Sequence, residues 1–131
     1  MTVLVIGGSF QGKRMWAKQS FCLQDSDFIC GDICIEDELK QARALDGLHR
    51  YVYRLLKDGK TTKDLTQILT EKVILCDEIG CGVVPFDREK DDWREAVGRL
   101  CCDIAAQADL VVRVQAGIGH VIKGQRKGGD I

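Results

Sequence analysis

Proline is almost absent from this chain, with Pro85 the only one in 131 residues. Histidine is nearly as scarce, represented by His49 and His120. No C-x-x-C pair occurs among the seven cysteines, and Cys30 and Cys34 have no second pair at matching spacing. A structural zinc site therefore has no ligand set to draw on. Charge of one sign is lacking too: 19 basic against 20 acidic residues leave a net charge of −1. That removes the electrostatic case for a nucleic acid or an anionic membrane as partner. The opening apolar run, Thr2 to Ile6, is far too short for a signal peptide or a spanning helix. With an odd number of thiols, this sets the expectation of a reducing, cytoplasmic location. Most cysteines are then expected to fill core as small apolar side chains.

What is present fits a soluble globular chain. Hydrophobic residues make up 45% and charged residues 30%. The length predicts one domain over residues 1–123 and a flexible polar tail over 124–131. The opening run breaks straight into Gly7-Gly8-Ser9-Phe10-Gln11-Gly12-Lys13-Arg14. This is the phosphate-binding pattern G-x-x-x-x-G-K between a strand and a helix. Glycines let backbone amides turn around an anion, Lys13 reaches the outer phosphates, and the helix N-terminus adds partial positive charge. The pattern ends in Ser or Thr, whose hydroxyl holds Mg²⁺, but here that place is Arg14. Arg14 either offers a second cation to a phosphate or points to solvent. The bland alternative for the whole stretch is a glycine-rich turn.

Periodicity places the other elements. Residues 2–6, 73–76 and 110–114 read as strands, and 27–30 gives a weaker signal. Helices are predicted over Lys13 to Phe21, Glu36 to Ala44, Leu48 to Lys57 and Thr61 to Leu69. The longest is predicted from Asp92, with Trp93, Ala96, Val97, Leu100, Cys101, Ile104 and Ala108 on one face. Strands alternating with helices predict an α/β fold, a small phosphate-loop domain with a mostly parallel central sheet flanked by helices. So small a sheet leaves open edges, which suits a homo-oligomer.

Asp77 to Pro85, read as D-E-I-G-C-G-V-V-P, resembles the N-E-V-G-x-G-I-V-P signature of the bifunctional adenosylcobinamide kinase / adenosylcobinamide-phosphate guanylyltransferase family. Arg94-Glu95-Ala96-Val97-Gly98-Arg99 is similar to that family's F-R-D-x-x-G-R segment. Ala105 to Asp109, the stretch Gly117-Ile118-Gly119 with Ile122-Lys123, and the Gly7 to Lys13 spacing follow the same family. The resemblance covers about residues 1–20 and 73–123. It implies a phosphate-loop transferase of cobalamin biosynthesis or salvage. Such an enzyme phosphorylates the hydroxyl of adenosylcobinamide's aminopropanol arm, then transfers GMP from GTP through a histidine. The family's enzymes are longer, and this chain departs in the middle, where a strand and helix pair is missing. The family's histidine precedes K-D-G-R-P. Here Lys57-Asp58-Gly59-Lys60 follows Leu55 at that place, and the nearest histidine is His49, about 120° away on a straight helix.

The resemblance implies GTP or ATP with Mg²⁺ as cofactors, and a nucleotide and a corrinoid as small-molecule partners. Gly7, Gly8, Ser9, Phe10, Gln11, Gly12, Lys13 and Arg14 would bind nucleotide. Asp77 and Glu78 close an apolar strand where a metal-holding acid is expected, so Asp77 is assigned to Mg²⁺ and Glu78 to catalysis with Lys13 and His49. Two adjacent acids can also be a plain strand-end turn. Gly80, Gly82, Arg94 and Arg99 are assigned to the substrate, and Arg94 and Arg99 can equally form a polar helix face. His49 is either a GMP carrier, a helix-surface group or core, and His120 either meets a ligand or is solvated. Asp32, Glu36, Asp37 and Glu38 supply a base or mark a solvated helix start. Two functions compete with a third kinase reading: a short transferase acting on cobinamide, or a degenerate phosphate-loop protein that binds nucleotide or corrinoid without turnover.

Overall fold

Alternating burial drives the first strand into the centre of a sheet. Val3 and Val5 pack on one face and Leu4 on the other, all three almost without solvent contact. That is the pattern of a strand covered on both sides. The computed structural model describes residues 1–79 and 88–125. In chain order they form β1 (Val3–Gly7), α1 (Lys13–Phe21), β2 (Phe28–Cys30), α2 (Glu36–Gln41), β3 (Ala44–Asp46) and α3 (Leu48–Lys57). Then come α4 (Leu65–Ile68), β4 (Val73–Asp77), α5 (Arg88–Gln107), β5 (Leu110–Gln115) and β6 (Ile118–Lys123). The strands share one sheet in the order β2-β3-β4-β1-β5-β6. All neighbours run parallel except β5 and β6. The observed class is therefore α/β, with a mostly parallel sheet flanked by helices.

Two apolar layers hold it. On one face, Trp16 and Ala17 of α1 pack with Val3, Val5, Leu75 and Val112. On the other, Leu48 and Val52 of α3 and Val97, Leu100 and Ile104 of α5 pack with Leu4, Leu45 and Ile74. The apolar face read from the long helix is the buried one, with Trp93, Ala96 and Cys101 partly buried at its margin. No helix of the described residues is long and apolar enough to cross a membrane.

The structure corrects the sequence reading at four places. The polar helix expected to run to Ala44 ends at Gln41, and residues 44–46 form β3. Ala and Leu favour helix by themselves, but here the backbone is claimed on both sides: Gly31 N–H donates to Asp46 O (2.9 Å), and Val73 N–H donates to Arg43 O (3.0 Å). The helix expected from Thr61 starts at Leu65, with no side-chain cap. The long helix is already formed at Arg88, a turn before Asp92, and Lys57 of α3 meets Glu89 there at 2.5 Å. The segment after β5, read as a glycine-containing loop, is β6. Gly119 sits in it because any Cβ there would run into the Trp16 indole. The expected tail lies outside the described residues from residue 126 on, as do residues 80–87 with Gly80 and Gly82.

Leu45 tests the added strand directly, since it is fully buried in β3. Leu45→Ala is expected to lower unfolding stability by about 2–5 kcal/mol, the usual cost of a Leu-to-Ala cavity. Urea denaturation would show it as a lower midpoint at unchanged slope. A loss under about 0.5 kcal/mol, typical of a surface site, would contradict the buried strand.

Candidate functional site

Strand register brings the two sequence motifs together. Gly7, the last residue of β1, is paired with Asp77, the last residue of β4. Glu78 N–H donates to Gly7 O at 2.8 Å, fixing the exit of both strands. From there residues 8–12 turn back into α1. Phe10 takes a positive φ of 60° and is fully exposed. Gly12 caps α1 with φ 88°, a left-handed conformation that a β-carbon disfavours. Gly117 Cα stands 3.2 Å from where that β-carbon would be. The β5–β6 turn then staples the loop: Gly117 N–H donates to Gln11 O at 2.8 Å and Ala116 N–H to Gln11 Oε1 at 2.7 Å.

The loop walls a cavity of about 360 Å³, lined by residues 9–15 with Asp46, Arg50 and Asp77. Its cations meet its acids. Lys13 is buried; its Nζ lies 2.7 Å from Asp77 Oδ1 and donates to Gly8 O at 2.8 Å and Gly7 O at 3.3 Å. Ser9 Oγ donates to Asp77 Oδ2 at 2.8 Å. Arg14 Nη1 donates to Asp46 Oδ2 at 2.8 Å, and Nη2 reaches Asp25 Oδ1 at 3.3 Å. Its guanidinium carbon stands 4.4 Å from the centre of the Phe28 ring. Arg50 Nε lies 3.0 Å from Asp32 Oδ1, and its Nη2 lies 3.6 Å from Asp46 Oδ1.

These contacts set protonation. Burial pushes the Asp77 carboxyl up, but hydrogen bonds from Lys13 and Ser9 and the neighbouring His49 hold it below its ordinary value. Burial also works against the Arg14 charge, yet Asp46 and Asp25 raise it further above its ordinary value. His49 is pushed down by burial, and further by Arg50 and Lys13, with Asp77 and Asp46 pulling the other way.

The predicted residues separate into two groups. Loop residues 9–14 and Asp77 converge on the cavity. His49 lies beneath Asp77 and is 7% exposed. Its Nδ1 accepts from Asp77 N–H at 3.2 Å, and its Nε2 faces Asp77 Oδ2 at 3.4 Å. With both ring nitrogens occupied, neither is free to attack a phosphorus atom. Glu78 pairs with Arg113 at 3.0 Å. Arg94 and Arg99 line no part of this cavity; Arg99 pairs with Glu95 on the surface of α5 at 2.6 Å. His120 is exposed on β6. Of the acidic run, Asp32 reaches the site through Arg50, Glu38 accepts from Ile35 N–H at 3.1 Å, and Glu36 lies 3.7 Å from Lys40. Sequence reasoning missed Asp46, Arg50 and Asp25. The available signal was an acid before Gly47 at the close of an apolar pair, the same strand-end logic that picked out Asp77.

Magnesium does not fit these residues as they are arranged. The hydroxyl that would hold it after Lys13 is replaced by a guanidinium. Both Asp77 oxygens are taken by Lys13 and Ser9, and Asp46 is taken by Arg14. A divalent ion would have to displace the Lys13 ammonium or the Ser9 hydroxyl to reach Asp77, and the Arg14 guanidinium to reach Asp46 Oδ2.

A parallel sheet with a glycine-rich loop between β1 and α1, and a lysine at the helix start, defines an α/β protein of the phosphate-loop type. The chain belongs to the cobinamide kinase / cobinamide phosphate guanyltransferase family, whose family model matches residues 35–122. The loop at residues 7–14 precedes the matched stretch. Comparison with curated proteins gives no match. Among solved structures, the P4 protein from bacteriophage phi6 in complex with ADP is similar at 14% identity and a TM-score of 0.42. The similarity covers 90% of this chain and 52% of that one, so the chain spans about half of that protein's length.

The buried His49 gives the fold an acid sensitivity. Its pKa in the folded chain lies below the ordinary histidine value of about 6.5. A group held neutral by folding contributes stability above its unfolded value, and that contribution is lost as pH falls toward the folded value. Stability is therefore expected to drop as pH falls below about 6.5. His49→Gln, which keeps an acceptor, is expected to flatten that drop in urea midpoints taken from pH 7 to 5. An unchanged slope would assign the acid sensitivity elsewhere.

Proposed function

We propose that this chain transfers a phosphoryl group from a nucleoside triphosphate to the hydroxyl of a cobinamide-type corrinoid, on its aminopropanol arm. The observation that supports it is the single cavity into which Lys13, Arg14 and the loop of residues 9–12 all open, in a member of this family. The hydroxyl oxygen attacks the γ-phosphorus. The bond from that phosphorus to the bridging oxygen breaks, and the nucleoside diphosphate leaves. Lys13 shifts from its carbonyl partners to the transferring group and balances its charge. The hydroxyl proton passes to a carboxylate, and we assign Glu78, whose backbone meets Gly7 beside the loop and whose side chain leaves Arg113 to take the proton. Asp77 and His49 position Lys13 rather than touch the substrate. Arg94, which lies outside the cavity of residues 9–15, is assigned to a corrinoid amide on the family membership alone.

Guanylyl transfer is left out of this proposal, because both His49 nitrogens face Asp77 and His120 is not among the residues lining the cavity. A second reading, nucleotide binding without turnover, draws support from one observation: each cation on the cavity is already paired with an acid.

The test is incubation with adenosylcobinamide and ATP or GTP labelled at the γ-phosphate. Label is expected in the corrinoid, and Lys13→Ala is expected to cut the rate by about 10²–10³, the scale of one lost charge stabiliser. GTP labelled at the α-phosphate is expected to leave no acid-labile adduct on the protein. Nucleotide binding with no label transferred would sink the kinase reading and leave the binding one standing.

A further inference from the structure

The residue after the loop lysine departs from the pattern, and its surroundings give the departure a purpose. Arg14 lies in the first turn of α1 and lines the same cavity as Lys13. It is held from three sides: by Asp46 at 2.8 Å, by Asp25 at 3.3 Å, and by the Phe28 ring at 4.4 Å. Asp46 closes β3, the strand next to β4, so its carboxylate stands at the same end of the sheet as Asp77. Arg50 approaches Asp46 from α3 at 3.6 Å. Three cations of the chain thus surround one cavity, and each carboxylate facing it is already neutralised by one of them.

We propose that Arg14 replaces the divalent cation, so that the polyphosphate of a nucleotide binds here as a metal-free anion balanced by Lys13, Arg14 and Arg50. This rests on the nucleotide-binding reading above. A guanidinium stays charged at any relevant pH and presents planar paired donors that match phosphate oxygens. A magnesium ion takes oxygen ligands in near-octahedral geometry, and the position after Lys13 presents it with a guanidinium instead of a hydroxyl. Asp46 orients Arg14 beside the loop. Asp25, on the exposed side, is the partner that yields when a phosphate oxygen arrives: its side chain is 71% exposed, against 26% for Asp46.

Calorimetric titration of the whole chain with ATP and with GTP tests this, once in Mg²⁺ and once in EDTA. The expected result is a dissociation constant in EDTA within about threefold of that in Mg²⁺, well inside the span of one lost charge-assisted hydrogen bond. Arg14→Ser restores the hydroxyl. It is expected to weaken binding about tenfold or more in EDTA, with much of that recovered in Mg²⁺. Arg14→Gln, which keeps the length without the charge, covers the case in which Arg14→Ser fails to fold; it is expected to weaken binding in both media. Wild-type binding that collapses in EDTA overturns the inference while leaving nucleotide binding intact. Unchanged EDTA binding in either variant overturns it as well. Absence of binding in both media overturns the nucleotide reading and this inference together.

Discussion

The contact between Lys13 and Asp77 is the constraint around which the site is organised. It joins the start of α1 to the end of β4 across 2.7 Å, with the ammonium buried. A buried charge is tolerable only when its partner is near and its remaining donors are satisfied. Here the Gly7 and Gly8 carbonyls satisfy them, so the loop must fold back over the lysine. Ser9 and His49 then complete the Asp77 environment. Removing either ion of such a pair generally costs about 3–5 kcal/mol, because the other is left uncompensated. Loop shape, strand register and helix start are therefore one problem with one solution.

The sheet order extends this logic outward. With β1 between β4 and β5, and β3 beyond β4, two strand ends bring Asp77 and Asp46 to the same rim. Each acid meets a cation from a neighbouring helix, Lys13 and Arg14 from α1 and Arg50 from α3. The result is a cavity whose charges are matched before any ligand enters. An anion entering it must exchange partners with these pairs rather than fill an uncompensated positive pocket. That favours a ligand carrying several negative charges over a single phosphate.

Much of this was readable in the residues. The loop, α1, α3 and the strands at Val3 and Val73 follow from apolar runs and glycine placement, because local pattern and tertiary demand agree there. Asp77 was found because it ends a long apolar run. Asp46 was not, because β3 is only three residues, opening with the helix formers Ala44 and Leu45, that become a strand when β2 and β4 hydrogen-bond to them. β6 was missed for a related reason: its outward positions are exposed and its glycine answers to Trp16, a residue a hundred positions away. His49 was legible as a special residue but not in its role, since only the fold reveals that both its nitrogens face Asp77.

Gln11 links the loop after β1 to the turn between β5 and β6, accepting from backbone N–H groups of Ala116 and Gly117. A ribosome releases this loop well before that hairpin, which lies 105 residues further on. The loop is thus written early but takes its shape only when the β5–β6 turn has emerged. Any nascent chain stalled short of that turn carries the motif without its staple.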